Sequence, residues 1–203
     1  MKKVSLLVAA ALLAPSAFAH QAGDFLVRGG AVMVSPNSSG DNVPGTGHLE
    51  AENNTQLGLT FSYMLTDNWG VELLGATPFS HSVGTAGLDE VAKVKHLPPT
   101  LVAQYYFGNA QSKVRPYVGA GINYTFFFDE EGRGALDGAK VKASDSWGLA
   151  AQAGIDMAVT DRLFVNSSIW YMDIDTEVTV NGGPAIKTSI DPVGVMIGLG
   201  YRF

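Results

Sequence analysis

Side chains able to do acid–base or metal chemistry are sparse in this chain. Four histidines occur, His20, His48, His81 and His96, and there is no cysteine. Thiolate nucleophiles, cysteine-ligated metals and disulfides are therefore excluded. His81 stands beside Ser82, with Asp89 a few residues on, so a base, a hydroxyl and an acid share one predicted loop. A serine nucleophile needs its base at fixed reach and commonly sits on a strained Gly-Ser elbow. Neither signature is present, so these residues read as solvated loop side chains. A metal centre built from His48, His81 and His96 would need separate loops to converge, and the spacing does not supply that. The chain reads as non-enzymatic, with no catalytic residue, no metal site and no cofactor.

A second polar set is more informative, because it falls at alternate positions of apolar runs. Arg28, Glu72, Arg115, Asp156 and Arg202 do so, together with Gln104 and Gln152. Charges removed from water must be paired, and both signs are present, so the set fits a buried network. Strands must position it. In Val193–Phe203, the residues Val193, Val195, Ile197, Leu199, Tyr201 and Phe203 alternate with Gly194, Met196, Gly198, Gly200 and Arg202. Period two marks a strand, since successive side chains point to opposite faces.

The same pattern predicts strands at Phe25–Val34, Thr55–Leu65, Trp69–Phe79, Val94–Phe107 and Val114–Phe128, then from Trp147 to Met157 and from Leu163 to Met172. Their connections alternate in length. Long polar stretches run at Ser35–Asn53, Ser80–Lys93, Asp129–Ser144 (with room for a short helix) and Thr179–Thr188. Short turns fall at Thr66–Asn68, Gly108–Lys113 and Val159–Asp161. An even strand count, short turns at one end and long loops at the other describe a bacterial outer-membrane barrel. Aromatic residues gather at both strand ends: Trp69, Tyr63, Tyr105, Phe107, Tyr201 and Phe203 at one, Phe79, Tyr124, Phe126, Phe128, Trp147 and Tyr171 at the other. Two girdles suit two membrane interfaces. A soluble barrel with the faces reversed would crowd every bulky side chain into a narrow interior and turn Gly and Ala to water. The predicted fold class is therefore all-β, an eight-stranded antiparallel transmembrane β-barrel with short periplasmic turns and longer extracellular loops.

The start of the chain reads as an address. Lys2 and Lys3 precede an apolar run from Val4 to Leu13, and Ala17-Phe18-Ala19 offers small residues where a signal peptidase reads. Residues 1–19 are expected to be removed after Ala19, leaving 20–203 as one barrel domain. The formal charge of −6 and the scattered basic residues argue against nucleic acid as a partner. No later stretch is apolar for the roughly 18 residues a spanning helix needs.

Several longer stretches resemble a known family. "NNTQLGLTFSYMLTDNWGVELL" (Asn53–Leu74), "HLPPTLVAQYYFG" (His96–Gly108), "RPYVGAGINYTFFF" (Arg115–Phe128), "WYMDIDT" (Trp170–Thr176) and "IGLGYRF" (Ile197–Phe203) are similar to the OmpW family of small outer-membrane proteins. The resemblance spans essentially the whole chain. It implies an eight-stranded barrel in the outer membrane of a Gram-negative cell, with a narrow hydrophobic channel that passes small hydrophobic molecules. It also implies that the terminal Tyr201 and Phe203 belong to a signal read by the barrel-assembly machinery. The external loops diverge from the family, which leaves the ligand and any receptor role open.

Strand parity then assigns the lumen. Leu74, Met64, Val102, Trp170, Met172 and Met196 fall inward, above a polar floor of Arg28, Glu72, Arg115, Asp156 and Arg202 with Tyr106 and Tyr117. This layer fits a dry pocket for varied apolar shapes, or plain interior packing, since narrow barrels are commonly filled by side chains. Pro78, Pro98 and Pro99 fall within predicted strands, where proline cannot donate to the ladder. They mark either a lateral opening, between the third and fourth or the fourth and fifth strands, or a bulge that only shapes the wall. The expected partners are outer-membrane lipids, small hydrophobic molecules and the assembly machinery. The competing reading is a structural, adhesin or receptor barrel that acts through its external loops around a packed, non-conducting interior.

Overall fold

Alternation along each strand closes the chain into a ring. The structure, a computed structural model, describes residues 20–41, 49–85 and 88–203; the expected cleavage after Ala19 and His48 lie outside the described residues. In chain order the strands are β1 (Phe25–Ser35), β2 (Ser39–Gly40), β3 (Leu49–Ala51), β4 (Asn54–Met64), β5 (Trp69–Ala76), β6 (Phe79–Thr85), β7 (Leu88–Leu97), β8 (Thr100–Tyr106), β9 (Val114–Gly132), β10 (Val141–Ala143), β11 (Ser146–Ala158), β12 (Leu163–Met172), β13 (Asp175–Val180), β14 (Ile186–Ser189) and β15 (Val193–Arg202). Eight of them, β1, β4, β5, β8, β9, β11, β12 and β15, form a closed antiparallel barrel in that order. Closure joins the first strand to the last, from Leu26 opposite Arg202 to Ser35 opposite Val193. A closed ladder leaves no backbone edge unsatisfied in lipid.

The two faces of the wall are inverted relative to a soluble protein. Leu149 is 70% exposed, Ile197 62% and Leu57 54%, so the bulky apolar face is the outer one. Arg28, Glu72, Arg115, Asp156 and Asn166 are buried inside. This is the arrangement a bilayer selects, with apolar residues toward lipid and polar residues toward the lumen. Small inward residues make room for the interior. A Cβ on Gly154 would lie 2.4 Å from the Tyr117 ring, and one on Gly200 would lie 2.1 Å from Phe164.

The long connections are sheet rather than loop, which corrects the polar loops expected at Ser80–Lys93, Asp129–Ser144 and Thr179–Thr188. β9 continues upward past the ring, β7 pairs with its upper part from Leu97 opposite Phe126, β6 pairs with β7, and β3 with β6. A second small sheet, in the order β10, β13, β14, β2, stands beside it. The room left for a helix holds one 3₁₀ turn at Gly134–Leu136. Asn181 and Gly182, both left-handed at φ 52° and 71°, turn the chain between β13 and β14, as Asn-Gly pairs do in tight hairpins. These additions extend the wall on the extracellular side, beyond the outer girdle at Tyr124 and Trp147, whose rings lie 4.6 Å apart. Phe79 does not join that girdle. It is buried inside the wall at 2% exposure.

Two of the predicted strands are broken at their prolines. Trp69–Phe79 divides into β5 and β6 at Thr77-Pro78, and Val94–Phe107 divides into β7 and β8 at Pro98-Pro99. The breaks face each other. Pairing stops after Leu74 opposite Thr100 and resumes at Phe79 opposite His96. Four residues, Gly75 to Pro78, therefore oppose three, Leu97 to Pro99, without a ladder. On the other side of Pro98-Pro99 the register with β9 holds, and the Tyr124 amide donates to the Pro99 carbonyl at 3.1 Å.

Candidate functional site

The lower barrel is sealed by one connected polar cluster. Arg28 of β1 is buried and reaches Glu72 of β5 and Asp156 of β11, each at 2.6 Å. Its guanidinium also donates to Ser62 Oγ and Tyr106 Oη, both at 2.7 Å. Glu72 accepts from Ser62 at 2.7 Å and from Gln152 at 2.8 Å, and Gln152 accepts from Gln104 at 2.8 Å. Asp156 accepts further bonds from Asn166 and His20, both at 2.7 Å. A buried charge pair is tolerable only with this degree of satisfaction.

Two assigned floor residues differ from expectation in role. Arg115 is buried, but it holds backbone rather than acids, donating to the carbonyls of His20 and Asp67 at 2.7 Å each. It ties the N-terminal segment and the β4–β5 turn across the barrel mouth. Arg202 stays at the rim, 3.3 Å from Asp24, and donates to the Asp161 carbonyl. Parity put it on the inner face, yet the last residues of β15 lie below the network.

His20 is the residue that sequence reasoning missed. It is 1% exposed, packs edge-on against Tyr106 and Phe164, and donates through Nε2 to Asp156. Its Nδ1 has no hydrogen-bond partner among the described residues. Nothing in the spacing marks it, because it belongs to no strand and reaches the floor only through the path of the terminal segment.

The apolar residues expected above the floor separate into layers. Leu74, Val102, Trp170 and Met172 form one cluster with Ala150 and Ile174. Met196 packs with Val32, Val34 and Phe79. Met64 lies lower than expected, in the floor itself with Leu26, Tyr106, Tyr117 and Phe164, because β4 runs downward and ends there. A small cavity of about 20 Å³ lies between the upper groups, bounded by Leu74, Trp170, Met172, Ala76, Phe79 and Pro98. Ala76 and Pro98 come from the two sides of the ladder break.

Above Phe79 the interior stays apolar. A cavity of about 60 Å³ is lined by His81, His96, Phe127 and Ile190 among others. A larger one, about 200 Å³, shares Leu49, Val83, Val94, Ala143 and Val178 with it and reaches up to Leu136 and Ile186. Phe79 separates these from the mid-barrel cavity, its ring 5.5 Å from that of His96 and 6.3 Å from that of His81. His81 is therefore buried, not solvated as expected, and His96 is buried beside it. His81 does not meet Ser82, whose hydroxyl instead donates to Glu90 at 3.2 Å; the Asp89 side chain is outside the described residues.

The lower network, the apolar column and the outward apolar band together are what a small outer-membrane barrel contains, and comparison with known proteins agrees. The model of the OmpW family matches residues 21–203. Outer membrane protein W of Escherichia coli (strain K12) is 50% identical over 214 residues that take in 100% of both chains. The crystal structure of the outer membrane protein OprG from Pseudomonas aeruginosa superposes with a TM-score of 0.84 at 42% identity, covering 91% of this chain and 98% of that one. A protein of Pseudomonas aeruginosa named dibenzothiophene metabolism operon protein PahQ is 29% identical over 81% of this chain and 79% of its own. The chain belongs to the OmpW family of outer-membrane β-barrel proteins.

Proposed function

We propose that the barrel passes small hydrophobic molecules from outside the cell into the outer membrane. The observation that carries this reading is the end point of the apolar column. It descends from the extracellular extension to Trp170 and Leu74, then stops on the Arg28–Glu72–Asp156 layer, beside the unpaired stretch at Pro78 and Pro98. An apolar solute gains nothing by crossing a desolvated charged layer. The wall beside it lacks the hydrogen bonds that hold the rest of the ring, so a sideways step into lipid is the path of least resistance. The upper cavity, at about 200 Å³, exceeds the roughly 150 Å³ that suffices for benzene in an engineered protein cavity. The name of PahQ, which refers to metabolism of an apolar aromatic compound, supports the same solute class. The reading involves no catalytic step.

Of the two exits expected from sequence, the break favours the one between β5 and β8, since β8 and β9 stay in register. A disulfide tests it, and the chain has no cysteine to interfere. In A76C/P98C, oxidation is expected to abolish uptake of a hydrophobic solute into lipid, and reduction to restore it. Equal uptake in the oxidised and parent barrels would favour a packed wall with function in the external loops.

A further inference from the structure

The apolar column holds buried polar atoms without a partner among the described residues, Thr85 Oγ1 at the larger cavity and Nε2 of His81 at the smaller one. His81 lines the 60 Å³ cavity, is 4% exposed, and stacks on His96 with ring centroids 5.0 Å apart and planes 19° from parallel. Its Nδ1 lies 2.5 Å from the carbonyl oxygen of Glu52. A carbonyl can only accept, so the imidazole proton resides on Nδ1. In a neutral ring the other nitrogen is then a bare lone pair. That nitrogen, Nε2, is buried and has no hydrogen-bond partner among the described residues. Burial pushes the His81 imidazole below its ordinary value, against the raising effects of the Glu52 carbonyl bond and of the Glu52 charge.

Buried polar atoms are rarely left unpaired, because each one that is forgoes its bonds to water without a replacement. Most of the surrounding lining is aliphatic or aromatic, Val83, Val94, Phe127 and Ile190 among it, with the hydroxyl residues Ser38, Thr176 and Thr188 at other points of the wall. An atom that needs a donor, set in a mostly apolar wall, favours a particular ligand. We propose that the His81 cavity binds a neutral molecule with an apolar body and one hydroxyl, which donates its O–H to His81 Nε2. The class is aliphatic alcohols and phenols. The apolar body would extend into the larger cavity above, past Val83 and Val94. This inference rests on the passage reading and names its solute class.

The test uses two isomers of equal size. 1-Octanol donates and accepts, whereas 1-methoxyheptane can only accept. Methyl NMR titration of the full barrel in lipid nanodiscs, followed at Val83 and Val94, gives both affinities. Octanol is expected to bind about 5- to 10-fold more tightly than the ether, the effect of one net hydrogen bond. In His81→Phe, which keeps a flat ring against Phe79 and His96, the two are expected to bind alike. The imidazole ¹⁵N spectrum of the unmutated protein gives an answer without a variant. Nε2 is expected to be unprotonated when free and to shift on adding octanol but not ether. Equal affinities in the parent, or a proton already on Nε2, overturn the proposal and leave passage intact. If neither compound perturbs the cavity methyls, the passage reading fails and takes this site with it.

Discussion

Arg28 and Asp156 face one another inside the barrel, Nη2 to Oδ2 at 2.6 Å, although 128 residues separate them in the chain. Neither charge would be stable there alone, and each holds the other in place. Asp156→Ala leaves Arg28, His20 and Asn166 without their common acceptor. The loss is expected to destabilise the barrel by about 3–5 kcal/mol, the range for a broken buried pair. Replacing the whole triad by neutral residues, as in R28M/E72Q/D156L, strands no buried charge and should recover part of it. The temperature at which gel mobility shifts from folded to unfolded is the readout, and a D156A value equal to the parent would contradict the account.

The N-terminal segment should respond to pH through His20. Burial pushes this imidazole below its ordinary value of 6.5; Asp156 opposes that shift, and Arg28 and Arg115 reinforce it. The docked state thus binds its proton less readily than the free segment. Docking is complete above about pH 6.5 and weakens as pH falls below it. The Gly23 amide, which donates to the Met64 carbonyl at 2.8 Å, reports on docking. Its hydrogen-exchange protection, corrected for intrinsic rate, is expected to drop between pH 7 and pH 5 in the parent, by roughly the tenfold per pH unit of one-proton linkage or less. His20→Phe should flatten the profile. A parent profile without slope would rule out the histidine as its cause.

Gly154 gives a steric test of the floor. An added Cβ would meet Tyr117 ring atoms at 2.4 and 2.8 Å. Tyr117 in turn accepts from Asn166 at 2.9 Å. Gly154→Ala is therefore expected to cost about 1–3 kcal/mol, as overpacking does. Pairing it with Tyr117→Leu should recover stability, which a backbone effect at Gly154 would not. Unfolding midpoints of the single and double variants decide between them.

Parity carried most of the fold, and it carried the lumen as far as one side chain determines its own face. Trp170, Leu74 and Asp156 all lie where alternation puts them, because a closed ladder fixes which face each position takes. Height along the axis was less legible. Met64, expected in the apolar layer above the floor, lies in the floor itself, and Arg202, expected in the floor at the periplasmic end, lies at that end but on the rim. The extracellular extension was hidden by its composition. Ser80–Lys93 is polar enough to read as loop, yet β6 and β7 pair across it. Asn181-Gly182 is a hairpin signal inside the polar stretch Thr179–Thr188, and there it turns β13 into β14. His20 had no legible signal, since its role depends on where an irregular segment crosses the barrel mouth.

The mid-barrel cavity can be tested through its walls. Trp170 is 1% exposed and donates through Nε1 to Ser168 at 3.2 Å, and Leu74 lies in the same cluster. Polar replacements, Leu74→Asn and Trp170→Gln, are expected to weaken binding of an apolar solute at least tenfold. The charged layer below them is untouched, so the folded barrel should persist. Titration of a purified variant with such a solute measures the first effect and heat-shifted mobility the second. Unchanged binding in both variants would make this layer ordinary packing.

The end of the chain separates folding from assembly. The Phe203 amide donates to the Phe25 carbonyl at 2.9 Å, and the ring, 70% exposed, lies 6.2 Å from Phe25 and 4.8 Å from Tyr201. Deleting it removes one ladder bond at the seam and part of one aromatic cluster. Such a loss is worth about 1–2 kcal/mol to a barrel already folded. We propose that this outward ring is also recognised by the assembly machinery, a role that the ladder bond and the aromatic contacts do not supply. Deletion of Phe203 is therefore expected to reduce outer-membrane levels severalfold, while the purified variant refolds in detergent with only a small shift in its unfolding midpoint. Phe203→Leu, which keeps the ladder bond, should show the same split more weakly. If levels and midpoint fall together, the residue acts through stability alone; normal levels of the deleted form would remove any assembly role.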